Sequence, residues 1–143
     1  MIIKQLSIFV ENKQGRMAEI TRLLAENQID IRALSIADTT DYGILRLIVN
    51  KPQRAMEAMK REGMTVSLTD VIAIAVPDCP GGLNKAVEVL SEQNIGIEYM
   101  YAFLNPKKET AFVILRVEDN ERAIKALLEG GITLMRSEEI YDI

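Results

Sequence analysis

The chain has no histidine. That excludes Ser-His-Asp and Cys-His nucleophilic catalysis, a histidine general base and histidine-containing zinc sites. It leaves chemistry by carboxylates or by Lys85 open. The single cysteine, Cys79, rules out an intramolecular disulfide and a Cys-rich metal site. No apolar run approaches the roughly 20 residues a membrane-spanning helix needs. Basic runs are also missing, and the net charge is −4, which argues against a nucleic-acid partner. Aromatics make up only 5% of the chain, too few for base stacking on two central strands, so an RNA-binding sheet is excluded as well. Met1-Ile2-Ile3-Lys4 lacks a secretory pattern, so the expected location is the cytoplasm, with no membrane partner. The carboxylates Glu118, Asp119, Glu121, Glu138 and Glu139 lack calcium-loop spacing, so no metal and no cofactor is expected.

What is present is a short turn that occurs twice. It reads Asn12-Lys13-Gln14-Gly15 and then Asp78-Cys79-Pro80-Gly81. Each copy follows an alternating apolar run: Leu6, Ile8, Val10 and then Ile72, Ile74, Val76. Each opens an amphipathic pattern: Met17, Ile20, Leu23, Leu24 and then Leu83, Ala86, Val89, Leu90. A strand that turns on glycine into a helix leaves the first helical N–H groups unpaired and aimed outward. The macrodipole adds about half a positive charge there, a seat for a carboxylate. The Asn or Asp three residues before the glycine can accept from an ammonium. Both ends of a free α-amino acid therefore find partners at one turn. For a single copy, a strand-to-helix connection with a capping Asn or Asp is the simpler reading; the repetition favours binding.

The repeat runs on past the turns. Ile29-Asp30-Ile31 meets Ile95-Gly96-Ile97, and beyond a loop Leu45, Leu47 and Val49 meet Val113, Leu115 and Val117. A two-residue insertion falls between Leu104 and Ala111, as surface loops allow. The first copy predicts strand 2–10, helix 16–27, strand 30–37, a turn through Thr39 to Gly43, strand 44–49, helix 52–62 and strand 65–69. Pro52 suits a first helical position and Gly63 a helix stop. The second predicts strand 71–77, helix 82–93, strands 96–104 and 111–117, helix 120–129 capped by Asp119, and strand 133–141. The fold class is therefore α+β: two tandem ferredoxin-like βαββαβ units, at 1–70 and 71–143, each an antiparallel sheet with helices on one face, packed side by side. The opposite face reads as Phe9, Leu34, Ile36, Ile44 and Ile48, and as Met100, Ala102, Phe112 and Ile114. A helix-free face this apolar predicts a homo-oligomer formed through it. Tyr99 and Tyr101 can line a pocket or belong to core or interface. Glu98 reads as a solvated strand-edge charge before it reads as a ligand contact, and Cys79 as a small loop residue.

An apolar strand, Asp/Asn-x-Pro-Gly, a helix and then Asn94-Ile95-Gly96-Ile97 on a second strand resembles the ACT domain, a regulatory amino-acid-binding module. The resemblance covers nearly the whole chain as two copies. It implies a non-catalytic sensor that takes a free amino acid at the interface of two such domains, paired through their second strands. The implied ligand positions are Asn12, Gly15, Arg16 and Met17 in the first copy, and Asp78, Pro80, Gly81, Gly82 and Leu83 in the second. At the strand starts they are Asp30 and Ile31, and Gly96 and Ile97. One site would join the Asn12 turn to Gly96; the other would join the Asp78 turn to Asp30. Gln14 stands where the motif has proline and Gly96 where it has a polar residue, so the two sites are expected to be unequal. The alternative is an obligate regulatory subunit of an amino-acid biosynthetic enzyme, as in the acetolactate synthase small subunit, with that enzyme as partner.

Overall fold

The computed structural model describes residues 1–38, 41–105 and 109–142. Thr39 and Thr40 of the first loop, and part of the insertion between Leu104 and Ala111, lie outside the described residues. The elements are β1 (Ile3–Glu11), α1 (Arg16–Glu26), β2 (Ile31–Asp38), β3 (Tyr42–Val49), α2 (Pro52–Arg61), β4 (Val66–Pro77), α3 (Gly82–Glu92), β5 (Ile97–Asn105), β6 (Thr110–Val117), α4 (Asn120–Glu129), β7 (Thr133–Leu134) and α5 (Ser137–Tyr141). The α+β class and the doubled βαββαβ order follow from this list.

Two compact units result. One holds Lys4–Thr69 together with the chain end from Ile140 onward; the other holds Met1–Ile3 and Asp70–Glu139. In the first, strands run in the order β2-β3-β1 and then the opening residues of β4. In the second, the order is β5-β6 and then the rest of β4, with β7 on β4's other side. The strands expected at 65–69 and 71–77 are thus one continuous strand, Val66–Pro77. Leu6, Ile8, Val10, Leu45 and Leu47 pack with Ile20 and Leu24 of α1 and Ala55 and Met59 of α2. The second unit repeats this with Ile72, Ile74, Val76, Val113 and Leu115 against Ala86, Leu90, Ala123 and Leu127.

All four long helices end the same way. A residue in left-handed conformation follows each, and the next N–H reaches back five residues: Met64 to the Met59 carbonyl, Ile132 to Leu127, Ile29 to Leu24 and Ile95 to Leu90. Glycine fills the left-handed position at Gly63 (φ 78°) and Gly131 (φ 75°), but Gln28 and Asn94 adopt φ 57° with a side chain in place. Asp119 caps α4, its Oδ1 accepting from the Arg122 N–H at 3.1 Å.

The last strand is much shorter than its pattern. Only Thr133 and Leu134 pair with β4, and the chain then turns into α5. The Glu139 carboxylate accepts from the Arg136 N–H at 2.7 Å, one half of a capping box, and Glu138 and Glu139 complement the helix dipole. Ile140 is fully buried, and Tyr141 takes hydrogen bonds from Lys4 N–H (2.8 Å, to Oη) and Arg32 Nε (3.1 Å, to the carbonyl).

The expected helix-free face also needs correction. Leu34 lies opposite Leu47 and Ile36 opposite Leu45, so both point to the helix side. Met100 opposite Leu115 and Ala102 opposite Val113 do the same in the second unit. The cause is a β-bulge early in each edge strand, between Ile31 and Ala33 and between Ile97 and Tyr99. One extra residue reverses the alternation for everything beyond it. On the true helix-free face, Ile48 and Ile114 are fully buried and Phe112 nearly so, while Phe9 and Ile44 are exposed. Neither Ile48 nor Ile140 belongs to the helix-side core.

Two stability outcomes follow. Gln28→Gly should raise unfolding free energy by about 1 kcal/mol, and Gly63→Ala, whose Cβ would meet no neighbour, should lower it by about 1–2 kcal/mol through backbone strain alone; urea titration reads both. Ile48→Lys buries an unpaired ammonium and should unfold the protein, whereas Ile44→Lys, 40% exposed in the wild type, should leave the melting temperature within a few degrees, by circular dichroism.

Candidate functional site

The two turns are built alike, bond for bond. Asn12 N–H donates to the Asp41 carbonyl (2.9 Å) and Asp78 N–H to Glu109 (3.1 Å), tying each turn to the hairpin beside it. Lys13 N–H folds back to the Glu11 carbonyl, and Cys79 N–H to Pro77. Arg16 N–H closes on Lys13, and Gly82 N–H on Cys79. The chain then enters the helix through Gly15 at φ 88° and Gly81 at φ 86°, the left-handed region where a side chain is strained.

These glycines are the N-caps, and no side chain caps either helix. Asn12 and Asp78 are therefore not the N-cap residues of these helices. Among the described residues, the N–H groups of Gly15, Met17 and Ala18 make none of the turn's hydrogen bonds, and neither do those of Gly81, Leu83 and Asn84. Three donors thus point outward at the positive end of each dipole.

Their surroundings differ. At the first turn, Lys13 Nζ lies 2.6 Å from Glu11 Oε2, and Arg16 bridges Glu19 (3.0 Å) and Glu11 (4.0 Å). The hydrogen bond and charge of Lys13 hold the Glu11 carboxyl below its ordinary range, with Arg16 adding to the pull. Beneath this turn is a cavity of about 110 Å³ reached by Asn12, Arg16, Met17 and Ile36. At the second turn Gly82 replaces Arg16. A Cβ there would sit 2.2 Å from the Pro77 carbonyl oxygen, so the close approach admits only glycine. Pro80 and Gly81 are exposed, Leu83 half-buried, and Cys79 exposed as a free thiol within the turn.

The strand starts are held separately. Asp30 N–H donates to Asn50 Oδ1 (2.9 Å), and Asn50 N–H returns a bond to the Asp30 carbonyl (3.1 Å). Arg32, the bulge residue, lies 3.6 Å from the exposed Asp30 carboxylate. Ile31 packs on the first unit's core, and Ile97 on the second's. Gly96 opens on a groove of about 640 Å³ that also meets Asp70, Asn120 and Arg122. Glu98 is the second bulge residue and pairs with Arg116 at 3.3 Å. Tyr99 and Tyr101 face away from the helices.

Geometry separates these halves within a unit. β1 and β2 both run antiparallel to β3, hence parallel to each other. The turn after β1 is level with Asp38 at the far end of β2, about 25 Å from Asp30 at eight residues and roughly 3.3 Å each. One small ligand cannot touch both. A site of turn plus strand start needs two units. Within each unit β2 and β5 are edge strands, pairing only with β3 and β6 among the described residues. Sequence reasoning missed Arg32 and Ile36 as residues at these places; the bulge that re-aims Ile36 is defined by the partner strand and leaves no mark in the sequence.

No helix among the described residues is long and apolar enough to cross a membrane, and no group of three or more metal-ligating side chains occurs among them. No curated protein matches the chain. Protein BT0572 from Bacteroides thetaiotaomicron is 41% identical, with a TM-score of 0.95 over 100% of this chain and 98% of that one. The ligand-free regulatory subunit of aspartate kinase from Thermus thermophilus shares the fold at 18% identity and a TM-score of 0.66, over 90% of this chain and 93% of its own. That of Thermus flavus does so at 16% and 0.61, over 90% and 94%. The ACT domain pair profile matches residues 1–143, and with the doubled βαββαβ units and doubled turn already established, the chain belongs to the ACT domain pair family.

Proposed function

We propose that the chain binds a free α-amino acid without catalysing a reaction on it, and that it reports the level of that amino acid as a metabolic sensor. The observation that carries this is the doubled turn, in which two uncapped helix starts present three outward N–H donors each behind a left-handed glycine. Nothing about a simple connection requires leaving these donors open twice. The ligand carboxylate would take the helix start, and Asn12 or Asp78 would receive the ammonium. The Asn12 turn would be completed by Gly96 and Ile97 of a second copy, and the Asp78 turn by Asp30 and Ile31. The open edges of β2 and β5 support this pairing. A free amino-acid pool places such a sensor in the cytoplasm.

A thermal-shift screen of the twenty amino acids at 10 mM tests the reading. Regulatory affinities of about 1 μM to 1 mM correspond to roughly −8 to −4 kcal/mol, and ligand at 100 times its dissociation constant adds about 2.7 kcal/mol of stability. At least one amino acid should raise the melting temperature by several degrees. Asn12→Ala and Asp78→Ala should each weaken one site roughly 10- to 100-fold without unfolding the protein, since both residues are exposed. Twenty null results, confirmed by the absence of heat in calorimetry, end this reading.

Phe9, Tyr42 and Ile44 form an exposed patch on the helix-free face, with the Phe9 and Tyr42 rings 4.9 Å apart. We assign it to homo-oligomerisation. The purified chain should run larger than 16.0 kDa in light scattering, and a Phe9→Lys, Ile44→Lys double variant should be smaller and still folded. A wild-type monomer would instead favour the obligate-subunit reading, in which the patch docks on a biosynthetic enzyme that co-purifies.

A further inference from the structure

The helix-free faces of the two units differ at one equivalent place. In the first unit Phe9 lies opposite Ile44, and Tyr42 lies opposite Glu11 in the next pair on the same face. Phe9, Tyr42 and Ile44 are 46%, 48% and 40% exposed, and the two rings meet at 4.9 Å. Three such side chains on two paired strands make an apolar knob. In the second unit the same register puts Ala75 opposite Phe112, and Thr110 opposite Pro77. Ala75 thus stands where Phe9 stands in the first unit, and Thr110 where Tyr42 stands. With these smaller side chains the face carries an open groove of about 450 Å³. Ala75, Phe112 and Met135 give it apolar walls, and Thr110, Glu109 and Glu139 also reach it. Phe112 is only 5% exposed and packs edge-on against Phe103 at 5.2 Å, so this wall is already in place.

Size, area and sign suit the knob to the groove. At about 30 Å³ for every water-sized group, the groove has room for both rings. Half-exposed aromatics that find a pocket are the usual anchors of an interface. At about 200 Å² for a whole aromatic side chain, the exposed parts of Phe9, Tyr42 and Ile44 leave roughly 250 Å² on the knob. Seating it covers a similar area of the groove. One seat therefore buries about 500 Å² and two bury about 1,000 Å², where specific interfaces begin. A single seat falls short, and a closed pair of copies makes two. Charge agrees with this. Glu109 and Glu139 line the groove and no Lys or Arg does so among the described residues. On the knob, Arg46 continues the same face two residues beyond Ile44, and the Glu11 carboxylate is held by Lys13 at 2.6 Å.

We propose that two copies of the chain pair by exchanging knobs, Phe9 and Tyr42 of each seating in the groove over Ala75 of the other. The inference rests on the homo-oligomer assignment of the patch above, names the surface that receives it, and needs no ligand. Sedimentation equilibrium on the full chain tests it. The wild type should have at least twice the 16.0 kDa chain mass. Phe9→Glu, at a half-exposed position and facing the groove's carboxylates, should weaken the association at least tenfold. Ala75→Lys, which fills the groove and reverses its charge, should do the same. Mixed together, the two variants should pair again, because one seat is then wild type and the other joins Glu to Lys. Circular dichroism checks that each variant is folded. Thr133 also lines the groove and is exposed, so Thr133→Lys replaces Ala75→Lys in both arms should that variant fail to fold. If Phe9→Glu dissociates the assembly while the groove variant leaves it intact, knob meets knob, and this inference falls while the patch assignment stands. A mixture that stays monomeric overturns it in the same way. If the wild type is a monomer, or if Phe9→Glu leaves the assembly unchanged, the inference and the patch assignment fall together.

Discussion

Parallel strands joined by a helix place the end of the first and the start of the second at opposite ends of the sheet. In this protein that constraint separates the repeated turn from the start of the second strand. β1 and β2 both pair antiparallel with β3, so the Asn12 turn and the Asp30 strand start are about 25 Å apart within their unit. Within each unit the turn and the strand start therefore lie too far apart for one small molecule to touch both. The same topology leaves β2 and β5 at an edge, where backbone donors and acceptors remain available for pairing. The separation of turn from strand start and the open edge are consequences of one strand order.

The second determinant is local. Gly15 and Gly81 carry the chain from strand to helix in a left-handed conformation. A residue with a Cβ would strain there, and a Ser or Asp in helical capping geometry would bind the very N–H groups that stay open. Glycine at the cap thus gives up a capping hydrogen bond, at a cost of roughly a few tenths of a kcal/mol, and leaves the donors exposed. The helices recover stability at their other ends, where four identical left-handed stops satisfy the last carbonyls.

The units are copies in backbone and differ in side chains. Arg16 against Gly82, Ile36 against Ala102 and the bulge residues Arg32 against Glu98 change charge and volume at equivalent places. Repetition preserves the backbone of the two turns, while these exchanges separate their chemistry. Glu98 pairs with Arg116 and Arg32 with Asp30, so the bulge charges reverse sign and each has an opposite partner.

The α+β class, the element order and the position of each turn were legible in the sequence, because they rest on local rules. Alternation of Leu6, Ile8 and Val10, helical spacing of Met17, Ile20 and Leu24, Pro52 at a helix start and Gly63 past its end act within a few residues of chain. The doubling of the pattern came from self-comparison of the same chain. The face of each edge strand was not legible, since it turns on a bulge whose single extra residue is defined only by the partner strand; Leu34, Ile36, Met100 and Ala102 were therefore placed on the wrong side. Nor was the chain end: an alternating run at 133–141 has strand periodicity, but the Glu139 cap on Arg136 and the burial of Ile140 draw it into a helix. Whether Ile48 and Ile114 were surface or interior was likewise decided by what packs over them. Local sequence sets which conformations are cheap; register, sidedness and burial depend on residues far away in the chain, and only the folded structure brings those together.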